Sequence, residues 1–238
     1  MASWARHISV LLWSILCIST SLILMVLLFN RKVPLIMART IWAPGILWFY
    51  GVKLEISGVH HIDKKRPIIF VSNHLSYLDI PCLFSALPVN LHFMAKKQLK
   101  KVPFLGWFMM ATGMIFVDRK NKNKARKSID KAAYLIKQGR NVLIFPEGSR
   151  SVDGEVGNFK KGAFQLALKS GSDIIPVALE GTDKIWSGRS FRTNPGAARL
   201  VIGSPIRNES YSSDNAILLS KQVRQKIISL FTSKLTVA

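Results

Sequence analysis

Long apolar runs mark the beginning of the chain and then give way to short alternating segments. Residues Ile8 to Phe29 are 22 consecutive uncharged positions, most of them apolar, and Arg31 and Lys32 follow at once. A helix of about 20 apolar residues spans the hydrocarbon layer of a bilayer. A signal peptide is the competing interpretation, but no small-residue cleavage site follows the run. The pattern therefore predicts a retained membrane helix over residues 8–29.

A second apolar segment, over residues 33–50, is interrupted by two prolines and an arginine and is rich in Trp, Phe and Tyr. Proline kinks a helix, and aromatic side chains of this kind favour the headgroup level of a membrane. We expect an interfacial or shallow re-entrant segment, and a second full span is the alternative. Residues 1–52 are thus predicted to form a membrane anchor, and residues 53–238 a separate domain.

Beyond residue 52, apolar runs of strand length alternate with helical patterns. The predicted strands are "KLEISG", "PIIFVS", "LHFMA", "MIFV", "NVLIFP", "DIIPVAL" and "ARLVIGSPI". The predicted helices are "YLDIPCLFSAL", "NKARKSIDKAAYLIKQG", "KKGAFQLALKSG" and "SSDNAILLSKQVRQKIISLF", and "PFLGWFMMATG" is an apolar helix or loop. Continuous apolar strands that alternate with helices predict a layered α/β domain with a mostly parallel central sheet.

Polar side chains follow three of these strands directly. His74 follows "PIIFV", Arg119 follows "MIFV", and Glu147 follows "NVLIF". In open α/β sheets, ligand groups lie on the loops at the carboxyl ends of the strands. If the three strands are parallel, these residues lie at one edge of the sheet and form a site there.

The first of these clusters, "SNHLSYLDI", contains a histidine and, five residues later, an aspartate. An imidazole can take a proton from an alcohol near neutral pH, and a carboxylate on its other nitrogen fixes the tautomer. We expect His74 in the loop and Asp79 one turn into the helix to fold back on each other. The alternative is that Ser72 and Asn73 cap the helix while His74 is solvated.

Two further clusters carry groups that bind anions. In "FPEGSRS", Glu147 and Arg150 can reach a phosphate or a glycerol hydroxyl, and a turn at Gly148 exposes backbone N–H groups. A polar turn with a Glu–Arg ion pair is the alternative. Arg119 is well placed for a planar phosphate clamp, and an Asp118–Arg119 surface pair is the alternative there.

The sequence lacks the motifs of several well-known classes of enzyme. "GNFKKGA" has the glycine spacing of a phosphate loop, but Ala163 stands where the lysine must be. The sequence contains no GxSxG elbow, no GxGxxG and no Cys/His set with zinc spacing. We therefore expect no serine acyl-enzyme, no metal and no tightly bound cofactor.

The charge is extreme, at +21 for 238 residues. Such a chain attracts anions, including nucleic acid, anionic lipids and phosphorylated substrates. Between Lys96 and Arg140 there are 13 Lys or Arg residues against two acidic residues. The two cysteines, Cys17 and Cys82, form no CxxC pair and indicate a reducing compartment.

Taken in order, "NHLSYLD", "FVDR", "FPEGSRS" and "IIPVAL" resemble the four blocks of the glycerolipid acyltransferase family, and specifically its 1-acylglycerol-3-phosphate acyltransferases. The resemblance covers roughly residues 51–205. It implies that His74 is the base and Asp79 its orienter. It also implies that the acceptor is held by Glu147, Gly148, Ser149, Arg150, Arg119 and Lys96. The stretch "AKKQL" departs from the family, which usually has glutamate where Gln98 stands.

The resemblance further implies acyl transfer from acyl-CoA or acyl carrier protein, the acyl-donor co-substrate, to the free hydroxyl of lysophosphatidic acid. The product is phosphatidic acid, and no acyl-enzyme forms. The expected partners are then membrane lipids with anionic headgroups and the donor, with no nucleic acid. The expected location is a bacterial inner membrane with the catalytic domain on its cytoplasmic face. One alternative is another acceptor: glycerol-3-phosphate, a lysophospholipid or an amino-acid lipid. A second is a non-catalytic, membrane-anchored basic module that binds anionic lipid or nucleic acid.

Overall fold

A computed structural model describes residues 1–118, 122–207, 211 and 215–232, and of residues 122, 124, 125 and 232 the backbone alone. The helices are α1 (Ser3–Leu27), α2 (Val33–Met37), α3 (Ala43–Tyr50), α4 (Asp79–Ala86), α5 (Leu105–Ala111), α6 (Lys122–Lys137), α7 (Gly162–Ser170), α8 (Thr182–Ile185) and α9 (Ala216–Thr232). The strands are β1 (Val52–Ser57), β2 (Ile69–Ser72), β3 (Leu91–Lys96), β4 (Ile115–Val117), β5 (Asn141–Ile144), β6 (Ile174–Glu180) and β7 (Gly196–Ile202).

The strands form one mixed sheet in the order β1-β7-β6-β2-β5-β3-β4. The five strands from β6 to β4 run parallel to one another. Strand β7 pairs antiparallel with β6, and β1 runs parallel to β7. The predicted layered α/β fold with a mostly parallel sheet is therefore confirmed.

The central strands are buried on both faces, as their continuous apolar runs predict. Phe70 and Leu143 belong to a core on the face that α3, α4 and α5 cover. Ile69 and Val142 belong to a core on the opposite face, under α6, α7 and α9. Alternate residues of a strand point to opposite faces, so each strand contributes to both layers. The helices thus sandwich the sheet and leave its carboxyl edge accessible.

The second apolar segment forms a continuous helical run that packs against the α/β domain. It consists of α2, a π-helical turn at Ala38–Trp42, and α3. Ile46 and Tyr50 of α3 are buried in a core that they share with Leu78 and Ala198. By length and composition alone, both α1 and the run over residues 33–50 could cross a membrane.

The first residues of α1 are hydrogen-bonded to the loop 186–195, which connects α8 to β7. The Nη1 atom of Arg6 donates to the carbonyl of Thr193 over 2.8 Å. The ring of His7 is 3.0 Å from the carbonyl oxygen of Phe191 and 2.7 Å from the hydroxyl of Tyr50. These bonds explain why the helix begins at Ser3, five residues before its apolar run. The helix is consequently held along the domain at its amino end.

Candidate active site

A histidine and an aspartate form a hydrogen-bonded pair at the carboxyl end of β2. His74 lies two residues beyond the strand, and Asp79 is the first residue of α4. The Nδ1 atom of His74 is 2.7 Å from Oδ2 of Asp79. The Asp79 side chain is fully buried, whereas 17% of the His74 side chain is exposed. The pair that the sequence predicts is therefore formed, and its histidine is accessible from one side.

Four donors converge on the Asp79 carboxylate. Besides His74, the backbone N–H groups of Leu75 and Ser76 donate to Oδ2 over 2.6 and 2.9 Å. The Thr182 hydroxyl donates to Oδ1 over 2.5 Å. Because an ionised carboxylate only accepts hydrogen bonds, His74 carries its proton on Nδ1. Its Nε2 atom is left as an acceptor that can take a proton from an alcohol.

The segment after β5 holds the backbone and the ring of His74. The N–H group of His74 donates to Oε1 of Glu147 over 2.9 Å, and its carbonyl accepts from the N–H group of Ser151 over 2.7 Å. The imidazole stacks on the ring of Phe145, with 4.0 Å between the ring centres and 16° between the planes. The motif "FPEGSRS" thus fixes the position of His74 in the motif "SNHLSYLDI".

The Glu147 carboxyl faces the backbone behind His74. It is buried, and its Oε2 atom accepts a second bond, from the N–H group of Gly157 over 3.2 Å. Burial raises the pKa of Glu147, and the two backbone donors act in the opposite direction. Both oxygens of this carboxyl are therefore occupied by protein groups.

Asn73 links β2 to β6 and does not cap α4. Its side-chain amide donates to the carbonyl of Leu179 and accepts from the N–H group of the same residue, both over 2.9 Å. Helix α4 begins without a side-chain cap. The alternative in which Ser72 and Asn73 cap the helix beside a solvated His74 is therefore wrong.

The guanidinium of Arg150 lies in a narrow slot. Its Cζ atom is 3.7 Å from the centre of the Tyr77 ring. On another side is Gly188, where an added Cβ would lie 1.9 Å from Nη1. In the part of the chain that the structure describes, this buried Nη1 has no hydrogen-bond partner. The cation is thus confined to one position although that nitrogen is unpaired.

A cavity of about 450 Å³ adjoins His74. Its polar end is formed by His74, Lys96, Gly148, Ser149 and Arg150. The rest is mostly apolar and is lined by residues of α1, α4, β3 and α5, among them Cys17, Ile18, Ile80, Phe84, Phe93, Phe108 and Met109. A cavity with this lining suits an amphiphile with a charged head and a hydrocarbon chain.

The structure brings most of the predicted site residues together. His74, Lys96, Gly148, Ser149 and Arg150 line one cavity. Asp79 and Glu147 lie behind His74 and bond to it. Arg119 lies outside the described residues. Asp118, its partner in the alternative interpretation, directly follows β4 and forms an ion pair with Lys97 over 3.7 Å.

Sequence reasoning missed Thr182, Tyr77 and Gly188. Thr182 follows β6, which is parallel to β2, so the rule that placed polar residues at strand ends applies to it as well. Tyr77 lies inside the first motif, but nothing in the pattern marks it as the platform for an arginine. Gly188 has no signal in the sequence.

In the described part of the chain, no group of three or more His, Cys, Asp and Glu side chains has an arrangement that could hold a metal ion.

A family model described as "Acyltransferase" matches residues 53–180. Over 202 residues the chain is 35% identical to the chloroplastic 1-acyl-sn-glycerol-3-phosphate acyltransferase LPAT1 of Arabidopsis thaliana, covering 84% of this chain and 54% of that protein. It is 32% identical over 186 residues to 1-acyl-sn-glycerol-3-phosphate acyltransferase alpha of Mus musculus, covering 77% of this chain and 65% of the relative. The chain therefore spans between half and two thirds of the length of these curated relatives.

A solved structure also matches the whole fold. The crystal structure of the 1-acyl-sn-glycerophosphate acyltransferase PlsC from Thermotoga maritima superimposes with a TM-score of 0.75. The match covers 97% of this chain and 100% of the other, with 25% sequence identity. The similarity thus includes the helices that precede the sheet.

Proposed function

Since the chain belongs to the acyltransferase family, we propose that it transfers a fatty acyl group from an acyl thioester to the free hydroxyl of 1-acylglycerol-3-phosphate and gives phosphatidic acid. The observation that carries this proposal is the position of the His74–Asp79 pair beside Arg150, at the polar end of an apolar cavity. The relatives and the solved neighbour are named for this reaction.

The base in this reaction is Nε2 of His74. It takes the proton of the acceptor hydroxyl while the oxygen attacks the thioester carbonyl, and Asp79 stabilises the imidazolium that forms. The tetrahedral intermediate collapses, the carbon–sulfur bond breaks, and the imidazolium returns its proton to the departing thiolate. The hydroxyl oxygen ends in the new ester, the sulfur leaves as a thiol, and no bond to the protein forms.

The cations at the polar end would hold the acceptor phosphate. Arg150 is confined between Tyr77 and Gly188 and carries an unpaired nitrogen, and Lys96 lines the same cavity. A positioned guanidinium binds a phosphate with two parallel hydrogen bonds. We assign Arg119 to the same phosphate and Gly148 and Ser149 to the acceptor. Glu147 would act by holding the backbone of His74, because both its oxygens already accept N–H groups.

We further propose that residues 1–52 hold the enzyme on the cytoplasmic face of a bacterial inner membrane. Support comes from the exposed apolar side chains of α1, which include Leu12, Leu16, Ile23 and Val26, and from Arg31 and Lys32 shortly after the helix. A chain of charge +21 would also attract the donor, because coenzyme A and acyl carrier protein are both anionic.

The test is an assay in detergent with labelled acyl-CoA and lysophosphatidic acid. We expect His74→Ala and Asp79→Asn to lose activity by about 10³-fold or more while remaining folded. The matched controls are His60→Ala and Asp63→Asn, whose side chains are exposed, and both should retain full activity. Unchanged product formation by both active-site variants would overturn the mechanism.

The same assay separates the alternatives. Glycerol-3-phosphate, lysophospholipids and amino-acid lipids replace lysophosphatidic acid in turn, and acyl carrier protein replaces coenzyme A. Faster acylation of another acceptor would overturn the proposed substrate and leave the base intact. If no acceptor is acylated while the protein binds DNA or anionic vesicles, the non-catalytic alternative is correct.

A further inference from the structure

Helix α5 exposes large apolar side chains on the outside of the domain. Trp107 is 52% exposed and Met110 is 48% exposed, and Val102 in the preceding turn is exposed as well. Single exposed apolar residues are common on soluble proteins, but a group of them that includes tryptophan marks an interaction surface. The outer face of α5 is therefore a candidate contact surface.

The inner face of the same helix lines the substrate cavity. Phe108 and Met109 are buried and line it together with Cys17 and Ile18 of α1. Helix α5 also packs directly against α1. Helix α5 therefore lies between the cavity and the surroundings of Trp107, and it is in contact with α1.

The turn before α5 is strongly basic. It is a 3-10 helix, Lys97–Lys101, in which three of the five residues are lysines, and all three are exposed. The pairing of exposed tryptophan with lysine is typical of the headgroup level of a membrane, where the ring lies between hydrocarbon and water and the ammonium meets lipid phosphate.

We propose that α5 and the turn Lys97–Lys101 form a second membrane-contacting surface beside α1. Trp107 and Met110 enter the leaflet that holds α1, and Lys100 and Lys101 meet anionic headgroups. The occupant is a bilayer because α5 packs against α1, whose exposed side chains are largely apolar, and because the adjoining lysines complement anionic headgroups. This inference rests on the proposed membrane anchoring of residues 1–52.

The test places an environment-sensitive nitrobenzoxadiazole label at one cysteine of the full chain, in a Cys17→Ala background that keeps the fully buried Cys82. The labelled variants are Trp107→Cys on α5, Val26→Cys on α1, and Leu218→Cys on α9, which covers the opposite face of the sheet. All three positions are exposed in the structure. Each is mixed with vesicles of phosphatidylcholine and phosphatidylglycerol whose acyl chains carry a nitroxide quencher.

We expect the labels at positions 107 and 26 to shift to shorter wavelength and to be quenched several-fold more than the label at 218. If position 26 is quenched and position 107 is not, the inference about α5 fails while the anchor stands. If neither is quenched, the membrane anchoring of residues 1–52 fails as well. A shift at 107 on adding an acidic carrier protein without vesicles would overturn the inference, because the surface then binds protein.

A second measurement tests the lysines. In the labelled Trp107→Cys chain, Lys100→Gln with Lys101→Gln should reduce quenching at position 107 in anionic vesicles. Lys64→Gln with Lys65→Gln removes the same charge from an exposed segment before β2 and should not reduce it. Equal quenching in all three backgrounds would overturn the role of the lysines.

Discussion

The guanidinium carbon of Arg150 lies 3.7 Å from the centre of the Tyr77 ring. The two residues belong to different sequence motifs, one in the loop before α4 and the other after β5, and they meet beside His74. A cation above an aromatic face is stabilised by about 1–2 kcal/mol when it is shielded from water. The contact therefore holds the guanidinium of Arg150 in one position.

Gly188→Ala should weaken acceptor binding. The new methyl group would lie 1.9 Å from Nη1 of Arg150, so the guanidinium must leave its slot. We expect KM for lysophosphatidic acid to rise by about tenfold, as one displaced charged hydrogen bond implies, while kcat changes less. Steady-state kinetics with varied acceptor measures both values.

The matched control is Gly139→Ala. Its backbone φ of +88° is unfavourable for alanine, as is the φ of +72° at Gly188, but no atom lies within 4 Å of the added methyl group. This variant should lose about 1 kcal/mol of stability and keep its KM. Equal KM values for the two variants would contradict the claim that Arg150 needs the space beside Gly188 to bind the acceptor.

Two substitutions of Tyr77 should distinguish the contribution of its aromatic ring to acceptor binding from that of its hydroxyl. Tyr77→Phe keeps the aromatic face under Arg150, so its KM for the acceptor should remain within about twofold of the wild type. Tyr77→Leu removes that face and should raise KM by about 5-fold to 30-fold, equivalent to about 1–2 kcal/mol. If phenylalanine is as harmful as leucine, the hydroxyl and not the ring is what matters.

Thr182 should support catalysis through Asp79, which it contacts over 2.5 Å. Thr182→Val keeps the shape but removes the donor to a buried carboxylate, at a cost of about 1–3 kcal/mol of unfolding free energy. We expect kcat to fall by about tenfold with KM unchanged, and Thr182→Ser to restore most of the loss. A shift in KM alone would contradict this positioning role. Kinetics and denaturant unfolding of both variants provide the measurements.

Two residues of the candidate site could be predicted from local sequence because each follows an apolar strand. His74 and Glu147 stand directly after the runs that become β2 and β5, and parallel pairing of those strands brings them together. Contacts that link distant segments could not be predicted in this way. Asn73 bonds to Leu179, 106 residues away. Nothing in the sequence near either residue indicates that Asn73 makes this bond and does not cap the helix.

Helix α1 begins five residues before the start that the apolar pattern predicts, for a related reason. Ser3, Arg6 and His7 are polar, so the apolar pattern places them before the helix. Their side chains bond to the loop 186–195, and those bonds make it favourable to extend the helix by more than a turn. Polarity alone does not reveal whether a residue faces water or a partner far along the chain.

His92 should make stability depend on pH. Burial is the main cause that lowers the pKa of His92 to about 4; the bond to the Asn141 carbonyl opposes it, and the charge of Arg140 adds to it. The unfolded histidine titrates near 6.5, so between these values the unfolded state binds the extra proton and stability falls as the pH falls. From about pH 7 to about pH 5 the loss should be about 2 kcal/mol.

Denaturant unfolding in detergent at the two pH values measures this loss. His92→Gln should remove most of it, whereas His60→Gln, at an exposed histidine, should leave it unchanged. A wild-type loss that persists in the His92 variant would mean that another group titrates.

The hydrogen bonds between Arg6 and Thr193 have a practical consequence for anyone who wants a water-soluble fragment. Truncation before β1 would remove the apolar amino-terminal segment. It would also remove the part of the cavity wall that Cys17, Ile18 and Trp42 form. It would also release the loop 186–195, which carries Gly188. The amino-terminal helices pack against the α/β domain and line its cavity, so the smallest working enzyme should retain them.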